Sequence, residues 1–358
     1  MSLPRVAMAL LALACAAAIL PVGAQDDART KQLRLLCAQL SGDLSDPGGI
    51  AAFRRCLTAK DPLNEIRKDN NIGHVPRPLD RPNAVAPVGF GRNSRKPLAA
   101  GVAQFYTADG KVFFVIDKDA RLWRGSANGK DVKQIDQGVR TVVLATDSLL
   151  VLDLKGALWR EGDTAASRVQ IGRDVAGFQP MDNGLLYVRG SDGTLWREGA
   201  DGSKRVTVDR TVAGFQAVDA SIVFVLGNDH KLWREVGDMR TRTQVASNIA
   251  AFQYVPDGDT MYVLTPDGGL WRQEGKDKPV AVDTSVAAFV AVDMHLAYVL
   301  GKDGRLWQEL GGRDQAVLVD QDLLVQPGKP SFQAMDPQHV YVLGADRRLW
   351  AERMPAGR

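Results

Sequence analysis

Every tryptophan in the chain follows a leucine: Trp123, Trp159, Trp196, Trp233, Trp271, Trp307 and Trp350. Six share the frame Asp-x-x-Leu-Trp, as in Asp192-Gly193-Thr194-Leu195-Trp196. Successive gaps are 36, 37, 37, 38, 36 and 43 residues. A fixed period of that length marks a repeat architecture, in which each unit buries its apolar faces against its neighbours.

The content of one repeat identifies the architecture. Val175-Ala176-Gly177-Phe178-Gln179 recurs as Val212-Ala213-Gly214-Phe215-Gln216, and in looser copies around Phe252 and Phe289. A β-branched and aromatic run follows, then a Gly/Asp turn, then Leu-Trp-Arg-Glu, a polar loop and a last strand such as Arg205-Val206-Thr207-Val208. Four short strands in ~37 residues make one propeller blade. Helical repeats of this length need long runs of period 3.6, and the chain from residue 102 onward has none. The Asp-Gly pairs at 192–193, 267–268 and 303–304 suit two-residue hairpin turns with both central φ positive. The expected fold is all-β, a seven-bladed β-propeller over 102–358.

The seventh repeat runs out of chain after three strands, near Ser331–Asp336, His339–Leu343 and Arg348–Glu352. A fourth strand from the other end of the array would close the ring and hide both edges. Residues 73–101 form a linker rich in Pro and Arg, and Asn83 to Phe90 within it is the expected closing strand. Pro87 is tolerated there because an edge strand need not donate on both sides.

The remaining segments point to export. Residues 1–24 carry a basic Arg5, an apolar run from Val6 to Ile19, and small residues before Gln25. That is the layout of a secretory signal with cleavage after Ala24. Cys15 is a poor lipidation site, since Ala12 precedes it by three and apolar residues continue beyond it. No other stretch is long and apolar enough to span a membrane. Residues 25–72 show helix-like apolar steps, and Cys37 and Cys56 within them are the expected disulfide, stapling a small helical hairpin. The net charge of +3 becomes +2 when Arg5 leaves with the signal. That balance argues against a nucleic-acid partner. The location is expected to be periplasmic or secreted.

Four side-chain series are candidates for function. The tryptophans serve as core wedges between blades, each able to remove ~150–250 Å² from water. Sugar stacking would instead need an exposed indole face. Arg124, Arg160, Arg197, Arg234 and Arg272 follow five of the tryptophans, and the series breaks at Gln308 and Ala351. These arginines lie across a neighbouring ring or pair with residues such as Glu198, or form an arc of cationic ligand sites. Asp109, Asp147, Asp182, Asp219, Asp257, Asp293 and Asp336 end the first strand of each repeat, so they share one rim. Short acidic side chains favour such turns by bonding to nearby N–H groups, and a carboxylate rim could also meet cations or basic surfaces. His295 and His339 fall beside Asp293 and Asp336. A metal or acid–base site is conceivable there, but ligand spacing for one is missing, and so are a nucleophile elbow and a phosphate loop. The candidate ligand-binding residues are therefore Arg124, Arg160, Arg197, Arg234, Arg272, Asp293 and Asp336. No catalytic residue, metal or cofactor is expected.

The segment Val340-Tyr341-Val342-Leu343 to Leu349-Trp350, with its copies over 102–352, resembles the repeats of tectonin and tachylectin-type β-propellers. The resemblance implies lectin-like or pattern-recognition binding without catalysis. The ligand residues of those families are not matched, so none is carried across. The expected function is non-catalytic recognition, first as a protein-binding scaffold in the cell envelope. A lectin with sites between blades is the alternative, and a hydrolase or metalloenzyme with a site at the ring centre comes third. The partner is an envelope protein or a glycan.

Overall fold

The computed structural model describes residues 95–353, apart from 128–130, 146–147, 163–166, 182–183, 238–240, 311–315, 327–328 and 337–338. The expected signal, the helical unit 25–72 with its Cys37–Cys56 bridge, and Asn83–Phe90 all lie outside the described residues.

Seven antiparallel four-stranded sheets make the molecule. Blade one holds β2 (Val102–Thr107), β3 (Val112–Asp117), β4 (Arg121–Ser126) and β5 (Lys133–Gln137). Blade two holds β6 (Val139–Leu144), β7 (Leu149–Asp153), β8 (Leu158–Glu161) and β9 (Val169–Gly172). Blade three holds β10 (Val175–Pro180), β11 (Leu185–Gly190), β12 (Leu195–Gly199) and β13 (Val206–Asp209). Blade four runs from β14 (Val212–Ala217) to β17 (Thr241–Ser247), blade five from β18 (Ala251–Val255) to β21 (Val280–Asp283), and blade six from β22 (Val286–Ala291) to β25 (Ala316–Asp320). The first strands neighbour one another round the axis, and the fourth strands form the perimeter.

Blade seven is closed from the other end of the array, as expected, but by a different segment. Its outer strand is β1 (Lys96–Ala99), added to β28 (Leu349–Arg353), β27 (His339–Leu343) and β26 (Phe332–Asp336). Asn83–Phe90 does not hold that place. The edge-strand argument survives with another proline, since Pro97 stands opposite Trp350. Arg95 sets the register. It lies two residues before the partner of Trp350, as Arg168, Arg205 and Arg242 lie two before the partners of Trp159, Trp196 and Trp233.

The seven leucines of the Leu-Trp pairs are the core wedges. Leu122, Leu158, Leu195, Leu232, Leu270, Leu306 and Leu349 are all 0% exposed. Each joins a cluster built from one blade or two adjacent ones; Leu158 packs with Leu150 and Leu152 of its own blade and with Val175, Leu186 and Val188 of the next. The tryptophans take the other face of the strand and are mostly half-buried, from Trp307 at 4% to Trp271 at 39%. This corrects the expectation that the indoles form the core. The indole of one blade packs against the cluster that holds the leucine of the blade before it, as Trp159 does on the cluster of Leu122 and Trp196 on that of Leu158.

The turns after the second strands also differ from expectation. Gly193, Gly268 and Gly304 have φ of +82°, +98° and +78°, while the aspartates before them do not enter the left-handed region. The loop is a type I turn closed by one left-handed residue, the longer hairpin alternative. Asp192 caps it, accepting the Thr194 N–H at 2.9 Å. The long gap before Trp350 falls in the connection from blade six to blade seven, where Leu323 is buried at 3%.

An amide ladder that the sequence did not disclose ties the inner strands together. Gln179 donates to the Ala217 carbonyl at 2.8 Å and accepts the Ala217 N–H at 2.9 Å. Gln216 does the same to Tyr254, Gln253 to Ala291, and Gln333 to Thr107. The last of these joins blade seven to blade one, so the ring is closed at its centre as well as its edge. Gln253→Leu is expected to leave both Ala291 backbone groups unpaired and to cost ~2 kcal/mol in a urea titration. An unchanged midpoint would show that water replaces the amide.

Candidate recognition face and the junctions between blades

The loops after first strands and after third strands lie at one end of the ring. The acidic series sits there as turn caps. Asp219 accepts the N–H groups of Ser221 and Ile222 at 2.6 and 2.8 Å. Asp293 accepts those of His295 and Leu296 at 2.7 and 2.8 Å, and Asp336 that of His339 at 2.8 Å. Asp109 caps its own loop through Lys111 and Val112. Asp147 and Asp182 lie outside the described residues. The buried tyrosines of the second strands hold these loops from the preceding blade: Tyr187 donates to the Asp219 carbonyl at 3.1 Å and Tyr262 to that of Asp293 at 3.3 Å.

The arginines that follow the tryptophans reach the same end. Arg197 donates to the Ala220 carbonyl, in the first loop of the next blade. Arg272 is buried at 8% exposure, paired with Glu274 at 3.0 Å and with its Nη1 3.1 Å from His295 Nδ1. Arg124 and Arg234 are exposed and Arg160 is half-buried. Arg160 bears on Asp201, whose carboxyl is held below its ordinary range first by Ser203 and in smaller part by that charge. Arg197 and Arg272 thus reach the first loops of the next blades, the loops that Asp219 and Asp293 cap. The histidines are not brought together as a site: His295 faces Arg272 and Glu274, and His339 sits 2.9 Å from Asp336. Among the described residues no cluster of three or more His, Cys, Asp or Glu could hold a metal.

The arginines that do lie across indoles belong to a different series, one the sequence reading missed. Arg168 stacks 4.2 Å from the Trp159 ring centroid, Arg205 4.8 Å from Trp196, Arg242 4.2 Å from Trp233, and Arg95 5.2 Å from Trp350. Each also meets the glutamate of Leu-Trp-x-Glu: Glu161, Glu198, Glu235 or Glu352. In three junctions an aspartate from the preceding blade completes a clamp on the guanidinium. Asp136 meets Arg168 at 3.2 Å, Asp209 meets Arg242 at 3.4 Å, and Asp320 meets Arg95. A signal existed in the Arg that opens the fourth strand of these repeats.

Two carboxylates around one arginine do not both ionise easily. Burial, and after it the adjoining Asp136, pushes Glu161 up to about 8 against the pull of Arg168. Glu235 is pushed up to about 8 by burial and Asp209. Glu352 is pushed up to about 7, with burial the largest cause.

No family model and no curated protein matches the chain. Solved structures do match as folds. YCF48 bound to D1 peptide is 10% identical, with a TM-score of 0.55 over 73% of this chain and 94% of that one. The WD40 repeats of RRP9 are 12% identical, with a TM-score of 0.56 over 74% and 98%. PorZ, a surface component of the type-IX secretion system of Porphyromonas gingivalis, is 13% identical, with a TM-score of 0.52 over 73% of this chain and 39% of that one. At these identities the likeness is one of fold, a seven-bladed propeller with WD40-type neighbours.

Proposed function

We propose that the chain is a non-catalytic protein-binding propeller that works in the cell envelope after export. The observation that carries this reading is the charged face just described. Arginines of one blade stand beside aspartate-capped loops of the next, and the amide ladder and tyrosine ties hold those loops on rigid sheets. A regular, pre-organised pattern of alternating charge suits recognition of a protein surface. The fold neighbours lend support, since YCF48 is seen with a bound peptide and PorZ belongs to a secretion system. Among the described residues no helix is long and apolar enough to cross a membrane.

A lectin of the tectonin or tachylectin type is the second reading. Trp271 favours it, because its indole is the most exposed of the seven at 39%. Photo-crosslinkers at positions 124, 160 and 234 of the full chain test the first reading. They are expected to trap a defined protein that then binds the purified chain saturably. Charge reversal at Arg124, Arg160 and Arg234 together is expected to weaken that binding about tenfold or more, mostly through slower association. Equal binding by the reversed chain would remove this face from the account.

A further inference from the structure

The junction between blades two and three keeps the arginine and the glutamate of the clamp and lacks its aspartate. The second carboxylate of each clamp comes from a single position, the partner of the buried leucine. Leu122 pairs with Asp136, Leu195 with Asp209, Leu270 with Asp283 and Leu306 with Asp320. In blade two that position is Gly172, opposite Leu158. In two other junctions the parts vary together. Ala246 and Ala99 replace the aspartate before blades five and one. There the glutamate has become Gln273 or Gly125, and Pro279 or Val132 stands in place of the arginine. Junction five–six keeps Asp283 and Glu309 and has Ala316 at the arginine's position. Only the junction of blades two and three, among the described residues, keeps Arg205 and Glu198 while lacking the aspartate.

The missing carboxylate leaves a space of the right kind. A cleft of about 670 Å³ opens there, lined by Gly172, Arg173, Asp192, Trp196 and Arg205 among others. Arg205 meets Glu198 at 2.6 Å, and its side chain is 42% exposed toward the cleft. Glu198 is fully buried on the other side of the guanidinium. A second donor is also waiting. Asp136, Asp209 and Asp320 each accept the N–H of the following residue, from Gln137 at 2.7 Å, Arg210 at 2.5 Å and Gln321 at 2.7 Å. Gly172 offers Arg173 no such acceptor.

We propose that this cleft binds a carboxylate of a partner peptide, one oxygen on the Arg205 guanidinium and the other toward the Arg173 N–H, in the place Asp136, Asp209 and Asp320 fill elsewhere. Trp196 supplies the floor against which the peptide chain packs. Asp174 and Asp192 at the mouth disfavour a doubly charged phosphate or sulfate, so a single carboxylate is the better fit. The inference rests on the protein-binding reading and gives it a contact at the other end of the ring, since Arg173, Asp174, Ser191 and Asp192 lie in loops after a fourth and a second strand. Both an acidic side chain and a chain terminus carry this chemistry.

Seven indole N–H signals give a direct probe by nitrogen–proton correlation spectroscopy of the full chain. Four short peptides serve as ligands: one with an internal Glu and an amidated end, one with a free end and no acid, one with both and one with neither. Millimolar peptide bearing a carboxylate is expected to shift the Trp196 signal, while the fully blocked peptide and inorganic phosphate do not. The first two peptides decide between side chain and terminus. Arg205→Gln is expected to weaken the effect about tenfold or more. Gly172→Asp should abolish it by supplying the carboxylate in cis. A Cβ at 172 would lie 3.0 Å from Val175 Cγ2, so Arg205→Gln carries the test if that variant folds poorly. No Trp196 shift with any carboxylate, or an equal shift with phosphate, overturns the proposal. If no carboxylate peptide shifts the Trp196 signal while the crosslinked partner still binds, this site fails and the scaffold reading stands. A Trp196 shift with no protein trapped at any face would sink the scaffold reading instead.

Discussion

Arg95→Ala is expected to lower the thermal midpoint by roughly 10 °C. Arg95 is 15% exposed and is the cation between Asp320 of blade six and Glu352 of blade seven. It also covers the Trp350 ring and precedes the strand that closes the perimeter. Removing it strands two acidic groups in a half-buried gap, which costs about 3–5 kcal/mol. For a domain of this size each kcal/mol moves the midpoint by about 2–4 °C. The loss should be smaller at pH 5 than at pH 8. Glu352, pushed up to about 7, holds its proton at the lower pH and can donate it to Asp320. Differential scanning calorimetry at both values checks this. An unchanged midpoint would mean that β1 closes the ring without its arginine.

The second large effect is on the pH profile of the intact protein. Glu161 and Glu235 ionise near 8 in the fold and near 4.5 in the unfolded chain. Between those values the folded state keeps protons that the unfolded state has released. Stability from these groups is therefore complete below about 4.5 and is lost as pH rises through 8. Arg168 and Arg242 are 33% and 39% exposed, so solvent screens the pairs, and about 1–2 kcal/mol for each junction is the expected scale. The double variant Glu161→Gln and Glu235→Gln should flatten the profile and be the more stable protein at pH 8. Blade five already carries Gln273 at this position. Guanidinium titrations from pH 5 to 9 measure it. Stability that rises with pH in the wild type, or a double variant with the same slope, would contradict the carboxyl pairs.

These effects belong to parts of the molecule that were unequally legible. Blade number, strand order and the aspartate caps could be read because each is a local rule repeated along the chain. Asp293 predicts its turn from a two-residue reach to His295 and needs no knowledge of the neighbouring blade. What depends on two blades at once was hidden. Size alone points to the tryptophan as the core residue, yet Leu195 has that place and Trp196 lies under Arg205. Alternation along the strand placed Leu and Trp on opposite faces. It does not say that the leucine face packs on the next blade while the indole face takes an arginine. Apolar content points to Asn83–Phe90 as the closing strand, while the strand that closes the ring, β1, follows Arg95, whose meaning comes only from three other arginines at the same register. Gly172 is more extreme. Its importance is an absence, visible only once Asp136, Asp209, Asp283 and Asp320 are seen to share one position.

On the reading proposed above, this propeller recognises protein and not sugar. Titration calorimetry of the chain 25–358 tests it most directly, against the crosslinked partner in one series and against glycans and peptidoglycan fragments in the other. The account predicts saturable heat with the partner, reduced by charge reversal at Arg124, Arg160 and Arg234, and none with the sugars. Saturable sugar binding with several sites per chain, and none with protein, would contradict it.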